Sequence, residues 1–193
     1  LVSIQRRLRR GAITNLAKML ARMHPADIAN VIDHLSSLKE KREIFELVRG
    51  DVKRGQVLSE LDGESITLVL SDLLPSDAAW LLKDLGSDDI AYILSVIPND
   101  RAKEILALMR TEDSTEIADL LKYPKGTAGG IMTTEFFALF EDATAQEAIR
   151  RLQQATDAEM VFYIYVTDKE DRLVGVLSLR QLLTVPPATP LKN

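Results

Sequence analysis

The chain has 193 residues, of which 46% are hydrophobic and 27% charged, and its formal net charge is −5. This length and apolar content exclude an intrinsically disordered chain and allow one or two domains with a buried core. The absence of cysteine excludes disulfide scaffolds and thiolate zinc sites, and with only two histidines present, a metal site would use oxygen ligands. The longest apolar run, residues 160–166, is too short to span a bilayer. Because the first residue is Leu1 rather than Met, we expect an excerpt of a longer protein or a processed product.

The net charge is distributed unevenly along the chain. Residues 1–58 contain 12 Lys and Arg against 6 Asp and Glu, residues 59–119 contain 4 against 14, and residues 120–193 contain 8 against 9. The net charges of the three segments are therefore +6, −10 and −1. Blocks of unlike charge usually indicate different partners.

The basic first segment begins with four arginines, Arg6, Arg7, Arg9 and Arg10. No aromatic residue is interleaved with them, and an acidic segment follows. The pattern favours a solvated helix face over a contact with nucleic acid or lipid, and we expect no nucleic-acid partner.

A twelve-residue repeat organises the middle of the chain. Aliphatic quartets with the helical spacing i, i+3, i+4, i+7 begin at Ile66, Ala78, Ile90 and Ala102, and an earlier copy begins out of register at Ile28. Helices of about ten residues are too short to persist alone in water, so each must stack on its neighbours. The pattern predicts an α-helical solenoid, a superhelix of short helices, over residues 1–125.

Glycines interrupt this helical period at residues 126–130, where we predict a hinge. Beyond it, residues 131–185 follow the order strand, helix, strand, strand, helix, which predicts a partial α+β domain. The strands are expected within residues 135–140, 160–166 and 173–178, with helices opening at the capping box of residues 144–147 and at Leu179. The proline-rich residues 186–193 are expected to be a linker tail.

Several stretches of this sequence carry a family resemblance. Residues 123–136, with the sequence YPKGTAGGIMTTEF, resemble the junction sequence of MgtE-type magnesium transporters. Residues 163–166 and 175–180 resemble the first CBS motif that follows this junction in the family, and the repeat between residues 24 and 121 is similar to its helical N domain.

The resemblance implies the cytosolic regulatory region of a magnesium transporter or channel. In that family the N domain and the CBS motifs regulate a dimeric membrane pore, and magnesium held between them favours a compact, closed state. It implies a homodimer formed through the CBS region, a transmembrane pore domain in the parent chain, and a position on the cytoplasmic side of the cell membrane. The alternative is a stand-alone adaptor or ligand sensor that contains a CBS motif but no pore.

Asp88 and Asp89 are the candidate metal ligands. Carboxylates in a first helical turn also complement the helix dipole, so a purely structural role stays open. Hydrated Mg²⁺ is bound by hard oxygen ligands, and one or two carboxylates suffice. The resemblance implies that Asp88 faces the regulatory Mg²⁺, whereas Gln56 and Tyr92 replace carboxylates at two other positions of the family.

An adenine nucleotide is a second possible ligand, because related CBS motifs bind adenosine nucleotides between two copies. The candidate residues are Thr134, Tyr163, Ser178 and Arg180. Gln181 stands where a ribose-binding family commonly has Asp, so a carboxylate that would accept two ribose hydroxyls is missing. No nucleophile and base can be paired from the sequence, and we expect no enzymatic activity.

Overall fold

A computed structural model of the chain describes residues 2–154 and 162–192, and the chain divides into two compact units. The first unit is Leu1–Met132 and the second is Thr133–Asn193. The first is helical and the second mixes helices with a small sheet, so the predicted fold class is confirmed. Within the described ranges, no helix is both long and apolar enough to cross a membrane.

Short helices build the described part of the first unit. They are α1 (Val2–Arg9), α2 (Ile13–Leu20), α3 (Pro25–Asp33), α4 (Leu38–Leu47), α5 (Asp51–Ser59), α6 (Gly63–Ser71), α7 (Pro75–Leu82), α8 (Ser87–Val96), α9 (Asn99–Leu106) and α10 (Thr111–Leu120). From α2 onward each helix packs on the next but one: α3, α5, α7 and α9 in one series, and α2, α4, α6, α8 and α10 in the other. Contacts between near neighbours only are the defining feature of a solenoid.

The predicted twelve-residue repeat corresponds to helices α6 to α9. Every member of the quartets that begin at Ile66, Ala78, Ile90 and Ala102 is buried in one continuous core or packed against it. The out-of-register copy that begins at Ile28 is buried in the same core. The periodicity therefore reports the buried face of each helix.

Helices α4 and α5 also belong to this core, although the register does not extend to them. In α4 the apolar pattern is broken by Lys41, which is buried at a position that faces the core. The Lys41 ammonium donates a hydrogen bond to the Ser65 hydroxyl of α6 over 2.9 Å. Asp62, the N-cap of α6, accepts from the Ser65 amide over 2.7 Å. Burial raises the pKa of Asp62, but the hydrogen bonds from Ser65 and the charge of Lys41 outweigh it and hold that pKa below its ordinary value.

A three-stranded sheet with two helices forms the second unit. Its elements are β1 (Ala138–Phe140), α11 (Ala145–Gln154), β2 (Tyr163–Thr167), β3 (Leu173–Ser178) and α12 (Leu179–Thr184). The strand order is β1-β2-β3, with β1 parallel to β2 and β2 antiparallel to β3. The predicted order of elements is confirmed. The start of the strand expected over residues 160–166 lies outside the described residues.

The small core of this unit lies on one side of the sheet. Ile164 and Val166 of β2 are buried together with Ala148 of α11 and Leu182 of α12. The neighbouring β2 residue Tyr165 is exposed, as the period of two in a strand requires. Buried and exposed side chains therefore alternate along β2, and the described residues cover only one face of the sheet.

The structure differs from the expected linker at residues 186–193. Leu191 is buried in the core of the second unit, and its amide donates to the Ala143 carbonyl over 2.9 Å. Lys192 forms an ion pair of 2.8 Å with Asp142. Residues 186–192 therefore pack as part of the second unit, because their apolar side chain and backbone hydrogen bonds have partners there.

Candidate functional site

A groove of about 380 Å³ lies in the first unit, along α8. Its walls are α8, the start of α9, the end of α10 and the glycine-rich segment that follows α10. Its polar lining includes Asp88, Tyr92, Asn99 and Lys125. Several helices of the repeat thus bring distant side chains to one place.

The two candidate metal ligands take different positions on α8. Asp88 is half-buried and lines the groove, and Tyr92 lies one turn later on the same face. Asp89 is exposed and is not among the groove residues, since successive residues are about 100° apart around a helix. The structure therefore separates Asp88 from Asp89. Gln56 is exposed on α5 and does not line the groove.

The glycine-rich segment forms one wall of this groove. Gly126 has φ +76°, a conformation that other residues rarely adopt. A Cβ on Gly130 would lie 2.6 Å from the Pro124 carbonyl oxygen, and one on Gly129 would overlap the Tyr123 ring. The segment predicted as a hinge is therefore closely packed, and the two compact units divide just after it, between Met132 and Thr133. Bending at this junction stays a prediction.

The groove offers few ligands for a metal ion. In the described ranges, no group of three or more Asp, Glu, His and Cys side chains is placed to hold an ion. Asp88 contributes one carboxylate, and Asn99 adds a side-chain amide. Mg²⁺ usually keeps several of its waters and binds through one or two carboxylates. The lining therefore offers a hydrated Mg²⁺ one carboxylate and one amide, beside the Lys125 ammonium, and does not fit a fully dehydrated ion.

Three of the four candidate nucleotide residues come together at one end of the β2–β3 hairpin. Tyr163 pairs with Ser178 across the hairpin, and the Tyr163 ring is exposed. Arg180 follows in the first turn of α12 and is also exposed. Thr134 is exposed in the segment before β1. An aromatic ring, a hydroxyl and a guanidinium thus share the surface at this end.

Gln181 has a structural role that the sequence pattern did not suggest. Ser178 is the N-cap of α12, and its hydroxyl accepts a hydrogen bond from the backbone amide of Gln181 over 3.2 Å. The Gln181 side chain in turn accepts from the Ser178 amide over 2.9 Å and from its hydroxyl over 2.8 Å. This capping box occupies the donor of Ser178, so the hydroxyl is less available to a ligand.

Sequence reasoning missed an exposed apolar surface on the second unit. Its members are aromatic and aliphatic side chains on and beside the sheet: Phe136, Phe140, Tyr163, Tyr165, Val174 and Val176. Phe136 and Tyr165 contact each other edge to face with 5.7 Å between ring centroids. The alternation in β2 could have indicated it, because tyrosines, Tyr163 and Tyr165, stand at its exposed positions instead of polar residues.

Two family models match the chain. The MgtE intracellular N domain matches residues 23–126, and the CBS domain matches residues 128–191. A magnesium transporter MgtE of Thermus thermophilus is 48% identical over 71 residues, which are 36% of this chain and 16% of that protein. One of Enterococcus faecalis is 47% identical over 66 residues, which are 34% of this chain and 15% of that protein. The matched stretch thus spans about a sixth of these relatives.

Solved structures match almost the whole chain. The cytosolic domain of the Mg²⁺ channel MgtE in complex with ATP has a TM-score of 0.84 and 33% identity, over 99% of this chain and 78% of that one. The soluble part of a magnesium transporter has a TM-score of 0.76 and 26% identity, over 99% of this chain and 75% of that one.

Proposed function

Since the chain belongs to the MgtE family, with its intracellular N domain followed by a CBS domain, we propose that it is the Mg²⁺-sensing regulatory region of a magnesium transporter or channel. Membership of the family was predicted from the junction sequence of residues 123–136, the CBS-like residues that follow it and the helical repeat before it. The position on the cytoplasmic side of the membrane agrees with the intracellular N domain and the cytosolic relative.

The groove at Asp88 is the observation that carries this proposal. The groove lies in a domain whose residues 59–119 have a net charge of −10. Like charges at this density repel one another. A bound divalent cation is often the largest charge in a protein site, so it could reduce this repulsion. We propose that Mg²⁺, held between the N domain and the CBS domain, favours a compact state that closes the pore, and that the two domains separate when it leaves.

The parent protein is proposed to contain a transmembrane pore and to form a homodimer through the CBS region. The relatives named as magnesium transporters are several times longer than the matched stretch, which leaves room for a pore. The exposed apolar surface of the second unit supports the dimer, because soluble proteins rarely leave such a patch uncovered. A stand-alone sensor without a pore is the alternative, and the length of the parent chain distinguishes the two.

We expect Mg²⁺ to bind the chain and to reduce its radius of gyration, and Asp88→Asn to weaken that response by about tenfold or more. The substitution keeps the size of the side chain but removes the only carboxylate among the described residues that line the groove. Titration calorimetry and small-angle scattering at constant ionic strength measure the effect.

Asp77→Asn is the matched control for this experiment. Asp77 lies in the first turn of α7, as Asp88 does in α8, but outside the groove. The same loss of charge should leave the Mg²⁺ response nearly unchanged. Equal weakening by both substitutions would indicate general charge screening and contradict the assigned site. The same two substitutions, made in a longer chain that includes a second CBS motif, test whether the Mg²⁺ response needs that motif.

Nucleotide binding is a second candidate function, favoured by the relative solved in complex with ATP. We expect ATP to bind weakly at the Tyr163 end of the hairpin, because Ser178 is engaged by Gln181. Arg180→Gln should weaken ATP binding by about tenfold, the usual loss with one charged hydrogen bond. Dye displacement with ATP and AMP measures it, and Arg150→Gln on α11 is the control. No displacement at millimolar nucleotide would exclude this function for the chain.

A further inference from the structure

The first 26 residues of the chain, which include α1 and α2, form a basic end without any acidic residue. Residues 1–26 contain no Asp or Glu, and the first acid of the chain is Asp27. The cations are six side chains, Arg6, Arg7, Arg9, Arg10, Lys18 and Arg22. We call this set the basic end, and all of its members are exposed.

The fold of α1 spreads its arginines over the outer surface. Ile4 and Leu8 are buried and lie one turn apart, so they define the face that packs on the rest of the solenoid. At about 100° per residue, Arg6 and Arg10 lie on the opposite side of the helix, with Arg7 and Arg9 on its flanks. The amide of Arg10 still donates to the Arg6 carbonyl, so the helical spacing extends to it.

Most of this charge is not neutralised by the residues that the structure describes. Arg9 forms an ion pair with Glu40 of α4 over 2.9 Å. Across residues 2–154 and 162–192, the other members of the basic end have no acidic partner within ion-pair distance. Arginine stays protonated at all physiological pH values, so this surface keeps its positive charge.

The shape and chemistry of the basic end fit an extended anionic surface. The arginines cover a convex helix rather than a pocket, and no aromatic side chain stands among them to stack on a base. Helix α1 packs on α2, and among the residues that the structure describes the four arginines stay exposed. Arginine clusters of this kind bind phosphate groups on the anionic cytoplasmic leaflet.

The sequence pattern alone favours a solvated helix face, but the exposure of these arginines leads to another interpretation of the basic end. We propose that the basic end docks the first unit onto anionic phospholipid headgroups. The choice of a lipid surface rests on the proposed function, a region of a membrane-bound parent protein. The charge and exposure of the arginines are observed independently of that function. Each basic side chain near such a surface strengthens binding by about fivefold. Docking would place the Mg²⁺-sensing solenoid against the membrane that carries the proposed pore.

Vesicle co-sedimentation of the chain tests this surface. We expect binding to equimolar phosphatidylglycerol and phosphatidylcholine, little binding to phosphatidylcholine alone, and loss of binding in high salt. Replacing Arg6, Arg7 and Arg10 together by Gln should lower the partition coefficient by about a hundredfold. The control replaces three exposed cations elsewhere, Lys103→Gln, Arg150→Gln and Lys169→Gln, and should bind almost as the parent does.

Several outcomes would overturn the proposal. Equal losses in the two triple variants would assign binding to net charge rather than to the basic end. Tighter binding of duplex RNA than of vesicles would assign the surface to nucleic acid, and competition by inorganic phosphate at low concentration would assign it to a free anion. Circular dichroism checks that each variant is folded. The assay contains no Mg²⁺, so a negative result here does not depend on whether the groove at Asp88 binds Mg²⁺.

Discussion

Ile93→Ala is expected to lower the free energy of unfolding of the first unit by about 2 to 5 kcal/mol. Ile93 is fully buried in the middle of α8, which packs on α6, α9 and α10. Removing three carbons there leaves a cavity between helices of both series, and helices fixed by several neighbours collapse poorly into such a space. The loss also destabilises the neighbouring helices, because a solenoid is stabilised by the interfaces between adjacent repeats.

The measurement can follow this unit alone, because the single tryptophan of the chain, Trp80, lies in α7. The Trp80 indole donates to Asp51 over 3.1 Å and stacks under the Lys83 ammonium, so unfolding will change its fluorescence. Urea titration should give a lower midpoint at unchanged slope.

Leu108→Ala serves as the control for the core substitution. Its side chain is 57% exposed, and we expect a change within about 0.5 kcal/mol. A loss from Leu108→Ala as large as that from Ile93→Ala would contradict the assignment of the quartet residues as the core.

Gly55→Ala is expected to destabilise the same unit by about 1 to 3 kcal/mol, although alanine is the better helix former. Gly55 is buried in α5, and a Cβ there would lie 2.7 Å from the Leu81 carbonyl oxygen of α7. Since the obstacle is backbone, relief requires moving one helix away from the other. The cost of that separation exceeds the gain of about 1 kcal/mol in helix propensity.

Gly63→Ala is the matched comparison for this prediction. Gly63 is also helical, but its Cβ would meet the Val96 side chain at 3.4 Å, an ordinary contact. We expect it to be neutral or stabilising by up to about 1 kcal/mol. If both alanine variants unfold at the same urea concentration, the close approach of α5 and α7 is not a constraint on the fold.

The repeat was predictable because its helices use similar apolar residues at a fixed spacing, and burial of one face is a local property of the pattern. Helix α4 was harder, since Lys41 occupies a core-facing position where the period requires an apolar residue. Its burial is tolerated because Ser65, 24 positions later, accepts its hydrogen bond. No spacing within α4 could have indicated that partner.

The candidate site divides in the same way. The sequence marked Asp88 and Asp89 together, and only their positions around α8 distinguish the groove residue from the exposed one. Likewise, Gln181 looked like the loss of a ribose ligand, whereas its contacts with Ser178 make it one half of a capping box. The proline-rich tail looked like a linker because its anchor, Leu191, packs against residues about 50 positions earlier.

The sequence by itself determined the element types, the solenoid repeat, the family and the uneven charge, because each depends on residues close together in the chain. The tertiary structure decided which acidic residue enters a groove, how closely glycines pack, where the two units divide and which cations stay unpaired. Those properties depend on distances between side chains that are remote in sequence, and such distances are set only when the helices stack.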